Sequence, residues 1–210
     1  MSSSLSPPAL LAYAELSELA SQPGNQAYVQ ARKVEFETRT GTFSVQDPWY
    51  EARARAFHDE LVTQVDFHRT LPEPLDPALS TGRTELTGAF RGLFRLQRPM
   101  RGQAAHLVNI VDQTEYYVTV YDAFLRQALD AIEEAVFDGR LVASDRQLVL
   151  LPGAVLHPEE ATRCIDAVIV AGKTRGLAFA ALLDRLLCME HQLRVRSRVR
   201  ANHVYRVDAL

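Results

Sequence analysis

Lysine is nearly missing from this chain. Of its 23 basic residues only Lys33 and Lys173 are lysine and the other 21 are arginine, a bias that points to GC-rich coding, so the arginine count by itself argues for no ligand. Cysteine is as scarce. Cys164 and Cys188 are too few for a disulfide framework or a cysteine-built zinc site, and their apolar surroundings in the sequence read as two buried thiols. No uninterrupted apolar run is long enough to cross a bilayer, and Met1 is followed by serines rather than by the basic and apolar segments of a secretory signal. The expected location is the cytoplasm, with no membrane partner.

A glycine-rich phosphate loop is missing as well, although IDAVIVAGKT ends in the Gly172-Lys173-Thr174 that such loops carry. The motif needs Gly-x-x-x-x-Gly-Lys-Ser/Thr between a strand and a helix, because its glycines let backbone amides turn inward around phosphate oxygens. Ala167 stands where the first glycine belongs, and the four residues after it are apolar. Upstream, His157-Pro158-Glu159-Glu160 reads as a helix start, with proline in the first turn and two acids favouring the dipole, which leaves no room for a strand. No nucleotide, and no other cofactor, is expected. Gly172 and Gly176 mark a bend between two C-terminal helices instead.

What the chain does have is 210 residues with 47% hydrophobic and 23% charged side chains, enough to bury a core. Its charge is uneven. Residues 1–85 carry twelve acids against seven bases, whereas residues 191–210 carry five arginines against one acid. A basic tail of this kind either folds back on the acidic part or meets an acidic partner.

The pattern of apolar residues divides the chain into four stretches forming one α+β unit. Residues 1–68 read as helices: ALLAYAELSELA, then a helix from Asn25 to Gly41, then one opened by Asp47-Pro48 with Tyr50, Ala54, Phe57, Leu61 and Val65 on one face. Trp49, beside that stripe, reads as a packing anchor. Residues 69–87, with three prolines and no period, read as a linker. In residues 88–157 the runs FRGLFRLQ, AHLVNIV, EYYVTVY, GRLVAS and QLVLLP are strands, with a helix over Leu125, Leu129, Ile132 and Val136 between the third and fourth. The order β-β-β-α-β-β fits a small five-stranded β-barrel or a curved sheet, of the OB or SH3-like kind. Residues 158–210 return to helices and end in LRVRSRVR, where alternation predicts a strand with Leu193, Val195 and Val199 on one face and Arg194, Arg196, Arg198 and Arg200 on the other.

Catalytic chemistry leaves no mark. His58, Asp59, Glu60, Asp66 and His68 lie close in sequence, yet His58 and Glu60 point to different faces of a helix and no HExxH spacing occurs. His106 and His157 fall at strand and helix ends, and His191 and His203 flank the arginine run. No serine stands in a nucleophile elbow, so no catalytic, cofactor-binding or metal residue is assigned. The four arginines Arg194, Arg196, Arg198 and Arg200 are the candidate partner-binding residues, since a row of guanidinium groups can fork onto carboxylates or phosphates.

The leading expectation is a non-catalytic interaction or regulatory protein that meets a protein partner through this tail or a sheet edge. The alternative is a single-stranded nucleic-acid binder using an OB-like module, with Tyr116, Tyr117 and Tyr121 in its third strand, although the net charge of −1 over residues 86–157 argues against it. A third is an enzyme whose site is assembled in space. At FHDELVTQVDF, FRGLFR, FDGRLV and LLPGAVLHP the chain resembles small uncharacterised cytoplasmic proteins of GC-rich bacteria. That resemblance, over residues 30–160, implies an α+β fold and carries no activity or site residue.

Overall fold

The computed structural model describes residues 6–97, 100–132, 135–196 and 198–209, and local chemistry sets the ends of its first helices. α1 (Pro8–Ala20) starts on a proline, whose missing N–H would be unpaired in a first turn anyway. α2 (Gln26–Thr40) stops at Gly41, whose φ of 105° suits only glycine. α3 (Tyr50–Val62) opens later than its Asp47-Pro48 signal, because the Asp47 carboxylate accepts the Ser44 N–H at 2.7 Å in a turn before the helix. Its stripe also ends early. Phe57 and Leu61 are buried, but Val65 begins the short α4 (Val65–Arg69) and is exposed.

The expected linker holds a helix, α5 (Pro77–Thr87), capped by Asp76, whose side chain accepts the Ala78 N–H at 2.8 Å. Asp76-Pro77 was the overlooked signal: a capping carboxylate followed by proline at the first position. α5 lies so close to α1 that a Cβ built on Gly82 would sit 2.0 Å from the Pro8 carbonyl oxygen.

The strand runs form one mixed six-stranded sheet: β1 (Phe90–Leu96), β2 (Ala104–Asn109), β3 (Glu115–Thr119), β4 (Val136–Ser144), β5 (Gln147–Leu150) and β6 (Val155–Leu156). β1 pairs antiparallel with β2, and β2 with β3; β3 runs parallel to β5, β5 pairs antiparallel with β4, and β4 returns to β1 over six residues. The pairings therefore close a circuit. β6 lies on the same edge of β4 as β5 and continues it after Pro152 and Gly153. Where β1 and β4 meet, Gly92 faces Gly139, and a Cβ on Gly92 would sit 2.4 Å from the Phe94 ring. The two glycines leave room for Phe94 and Phe137 to turn into the space the strands enclose.

One apolar cluster is shared by all five strands of the circuit and by α6 (Ala123–Asp130), through Phe94, Leu107, Val118, Phe137, Leu150, Leu125 and Leu129. The α6 stripe is shorter than expected: Val136 belongs to β4, since burial on the sheet outweighs its fit to the helical period. A second cluster joins α1, α3 and α5 to β4 and β5. The third lies under α7 (Thr162–Thr174) and α8 (Phe179–Val195).

Residues 165–174, read above as an imitation of a phosphate loop, form the last turns of α7, with Lys173 bonded to the Val111 carbonyl. The bend falls at Gly176, with φ of 70°, while Gly172 lies inside the helix against Leu182. Among its described residues LRVRSRVR holds no strand. Its first residues continue α8 through Val195, because Leu182, Leu186, Met189 and Leu193 keep the helical period on the core side. Arg194 pairs with Glu190 one turn back, at 2.7 Å. Beyond α8, Arg198 lies in a turn and Arg200 is extended, both exposed, while Val199 between them packs on the core before α9 (Ala201–Val204).

Charged side chains join helices to sheet. Arg140 on β4 donates to Glu60 of α3 at 3.0 Å, Glu60 pairs with Arg39 of α2, and Arg39 donates to Asp184 of α8 at 2.7 Å. Asp184 accepts from Arg91 of β1 at 2.6 Å, and Arg91 donates to Asp138 of β4 at 2.9 Å. The chain of three cations and three anions begins and ends on one strand. Burial opposes the Arg91 charge, but Asp138 and Asp184 outweigh it and hold the guanidinium more firmly protonated.

A candidate ligand face on β2 and β3

Strand alternation sorts β2 and β3 into a covered and an open face. Ala105, Leu107 and Val118 turn inward, and Tyr116 leans on Phe90 and Phe94. Ala104, His106, Tyr117 and Thr119 turn outward, with His106 directly opposite Tyr117 and Ala104 opposite Thr119. Cross-strand neighbours at this spacing can touch. The two rings stack at 4.5 Å between centroids and 6° between planes, and Tyr117 is 73% exposed. His106 is held in place by its Nε2, 2.9 Å from the Glu115 carboxylate.

Beside the stack is a hollow of about 330 Å³, walled by Arg101, Ala104, His106, Tyr117 and Thr119. Arg101 sits in the β1–β2 turn, exposed, with no side-chain partner among the described residues. At the far wall Thr119 donates to the Gln147 side-chain oxygen Oε1 at 3.0 Å, and Gln147 Nε2 donates to the Tyr121 hydroxyl at 2.9 Å. The turn between β4 and β5 therefore lies at this end too. A flat, ringed group can lie on Tyr117 while an attached anion meets Arg101.

No family model, curated protein or solved structure matches the chain.

The residues singled out in the sequence are dispersed. His58 Nε2 lies 2.6 Å from the Ser17 hydroxyl, and His68 bonds the Val62 carbonyl at 2.7 Å; burial lowers the pKa of both. Asp59 is fully buried and Asp66 is exposed. His157 is buried against the Tyr205 hydroxyl, 2.8 Å away, and burial brings its pKa down to about 4. His191 packs edge-on against Trp49, the expected anchor, and His203 is exposed. Cys164 and Cys188 are half-buried and unpaired. Among the described residues no helix is long and apolar enough to cross a membrane, and no group of three or more His, Cys, Asp or Glu is arranged to hold a metal.

The four tail arginines do not form one row. Arg194 is tied to Glu190, while Arg196, Arg198 and Arg200 are exposed and have no side-chain partner among the described residues. A sheet edge offers little, since each strand of the circuit has a neighbour on both sides. Sequence reasoning named Tyr117 but missed His106 as its companion and Arg101 altogether. The register across the β2–β3 turn is the signal that pairs the first two.

Proposed function

We propose that the chain is a non-catalytic binding protein whose β-module is a small closed barrel of the OB type, and that its β2–β3 face takes single-stranded nucleic acid. The strand circuit β1-β2-β3-β5-β4-β1, with α6 between β3 and β4, supports the barrel reading. Barrels of this order bind oligonucleotides on strands 2 and 3. The observation that carries the ligand is the stack of exposed Tyr117 on His106 beside Arg101, which has no side-chain partner among the described residues. A single strand offers both a ring to stack and a phosphate to pair.

The net negative charge of the module does not oppose this reading. Asp138 is spent inside the protein on Arg91, and Asp122 pairs with Arg55 of α3, so the charge sum overstates the negative charge of the open face, where Glu115 is the carboxylate beside His106. With Arg101 the one arginine at the stack without a side-chain partner among the described residues, binding is weak and only modestly salt-dependent.

The test is fluorescence polarisation with labelled oligothymidylate and oligouridylate at low salt. The parent protein binds, and Tyr117→Ala costs about 1–3 kcal/mol, the usual worth of one stacked base. Arg101→Gln lowers the slope of log affinity against log salt by about 0.7, one lost phosphate contact on a single strand. Absence of binding, or binding indifferent to Tyr117→Ala, would overturn the reading.

A further inference from the structure

From the way the C-terminal tail is anchored we infer a second docking site, which takes an acidic peptide segment of a protein partner. Val199, Ala201, Val204 and Tyr205 all pack on the cluster under α7 and α8, which fixes the tail. Arg198 is held at a φ of 69°, a region where residues other than glycine are strained, and strain of that kind persists where surrounding packing dictates it. The anchoring leaves Arg196, Arg198 and Arg200 outward, without partners among the described residues. Among the described residues no side chain pairs with these cations.

Two of them, Arg198 and Arg200, border a groove. Arg198 and Arg200, with Cys164, Val199 and Asn202, wall a space of about 620 Å³ closed on one side by Glu160. Glu160 also walls an adjoining hollow of about 440 Å³, where Ile132, Leu156 and Leu193 supply apolar surface and Arg194 stands at the rim. Guanidinium groups fork onto carboxylates, and the apolar hollow accommodates a bulky side chain a few residues along the same peptide. Charge complementarity selects an acidic occupant.

Nucleic acid fits this groove less well. Neither space has an exposed aromatic wall on which a base can stack, and Glu159 and Glu160 would repel a continuous phosphate backbone. A peptide can place a carboxylate at the arginines and a neutral stretch beside the glutamates.

The experiment uses the full chain and a fluorescein-labelled peptide in which Asp-Asp-Asp is followed by a neutral Ser-Leu-Ser-Leu stretch, with lysine replacing aspartate in the control. The acidic peptide binds and the control does not. In the triple variant Arg196→Gln, Arg198→Gln, Arg200→Gln the affinity falls by about threefold to a hundredfold, the range expected of three exposed ion pairs. Amide shifts on adding the peptide to the parent protein fall on Ala201, Asn202 and Leu193, a readout that needs no variant. No binding, or binding untouched by the triple variant, sinks the inference, as does oligothymidylate binding lost in that variant, which would assign the arginines to nucleic acid. Loss of oligonucleotide binding in Tyr117→Ala alone bears only on the sheet face.

Discussion

Replacing Asp59 with asparagine should make this protein more stable in alkaline solution. Asp59 lies on α3, fully buried, where its carboxylate accepts the Tyr13 hydroxyl at 2.8 Å and the Gly153 N–H at 2.9 Å. It ties α1 and the loop between β5 and β6 to α3. Burial raises its pKa from 3.8 to about 7, in spite of Arg140 and the two hydrogen bonds, which pull it down. A carboxyl raised on folding binds its proton more tightly in the folded state. Below pH 3.8 both states are protonated and nothing is lost; as pH rises from 3.8 toward 7 the unfolded chain ionises first and stability falls. Above that window the penalty is constant, about 4 kcal/mol for a gap of this size. Asparagine is nearly isosteric, can accept from Gly153 with its oxygen, and carries no charge to desolvate. Urea unfolding across pH should therefore show the Asp59→Asn variant matching the parent in acid and exceeding it by up to about 4 kcal/mol above neutrality. Parallel curves would refute the reasoning, and a parent that gains on the variant as pH rises would mean that Arg140 and Arg55 outweigh burial.

Two other substitutions probe packing. Phe57 is buried with its ring centroid 5.8 Å from that of Phe36, so Phe57→Ala should cost about 3–5 kcal/mol in denaturant unfolding; a loss below about 1 kcal/mol would mean that this face of α3 is not a core face. Gly82→Ala puts a methyl group 2.0 Å from the Pro8 carbonyl oxygen, and forcing α1 from α5 should cost about 1–3 kcal/mol or more by thermal unfolding. An unchanged melting temperature would rule out the close approach of these two helices.

The strands were legible because β-branched and aromatic runs alternate in short pieces between turns, and four of the five expected runs match a strand to within about two residues. Tertiary burial was not legible. Val136 fits the helical period of α6 but lies on β4, and LRVRSRVR alternates like a strand but has its first half captured by α8, whose Leu193 already faces the core. Asp76-Pro77 carried a cap that proline content in the same stretch obscured. At the candidate face, Tyr117 could be read as a strand aromatic, whereas its stack with His106 depends on register across a turn. Summed charge misled for a related reason. Arg91, Arg140, Asp138, Asp184 and Glu60 cancel in space with partners distant in sequence, and no local count can show that.

The six-member chain from Arg140 through Glu60, Arg39, Asp184 and Arg91 to Asp138 also shapes how this sequence can diverge. Removing one member strands a partner in a poorly solvated position, whereas exchanging a cation and its anion together for apolar residues can be nearly neutral. Change at any one of these positions is therefore permitted or forbidden by what already stands at the next. Five separate elements, drawn from both ends of the chain and its middle, are bound to drift in concert. In related chains, when they are aligned, the substitutions at residues 39, 60, 91, 138, 140 and 184 should arrive in linked pairs, with the order of the pairs following the order of contacts in space.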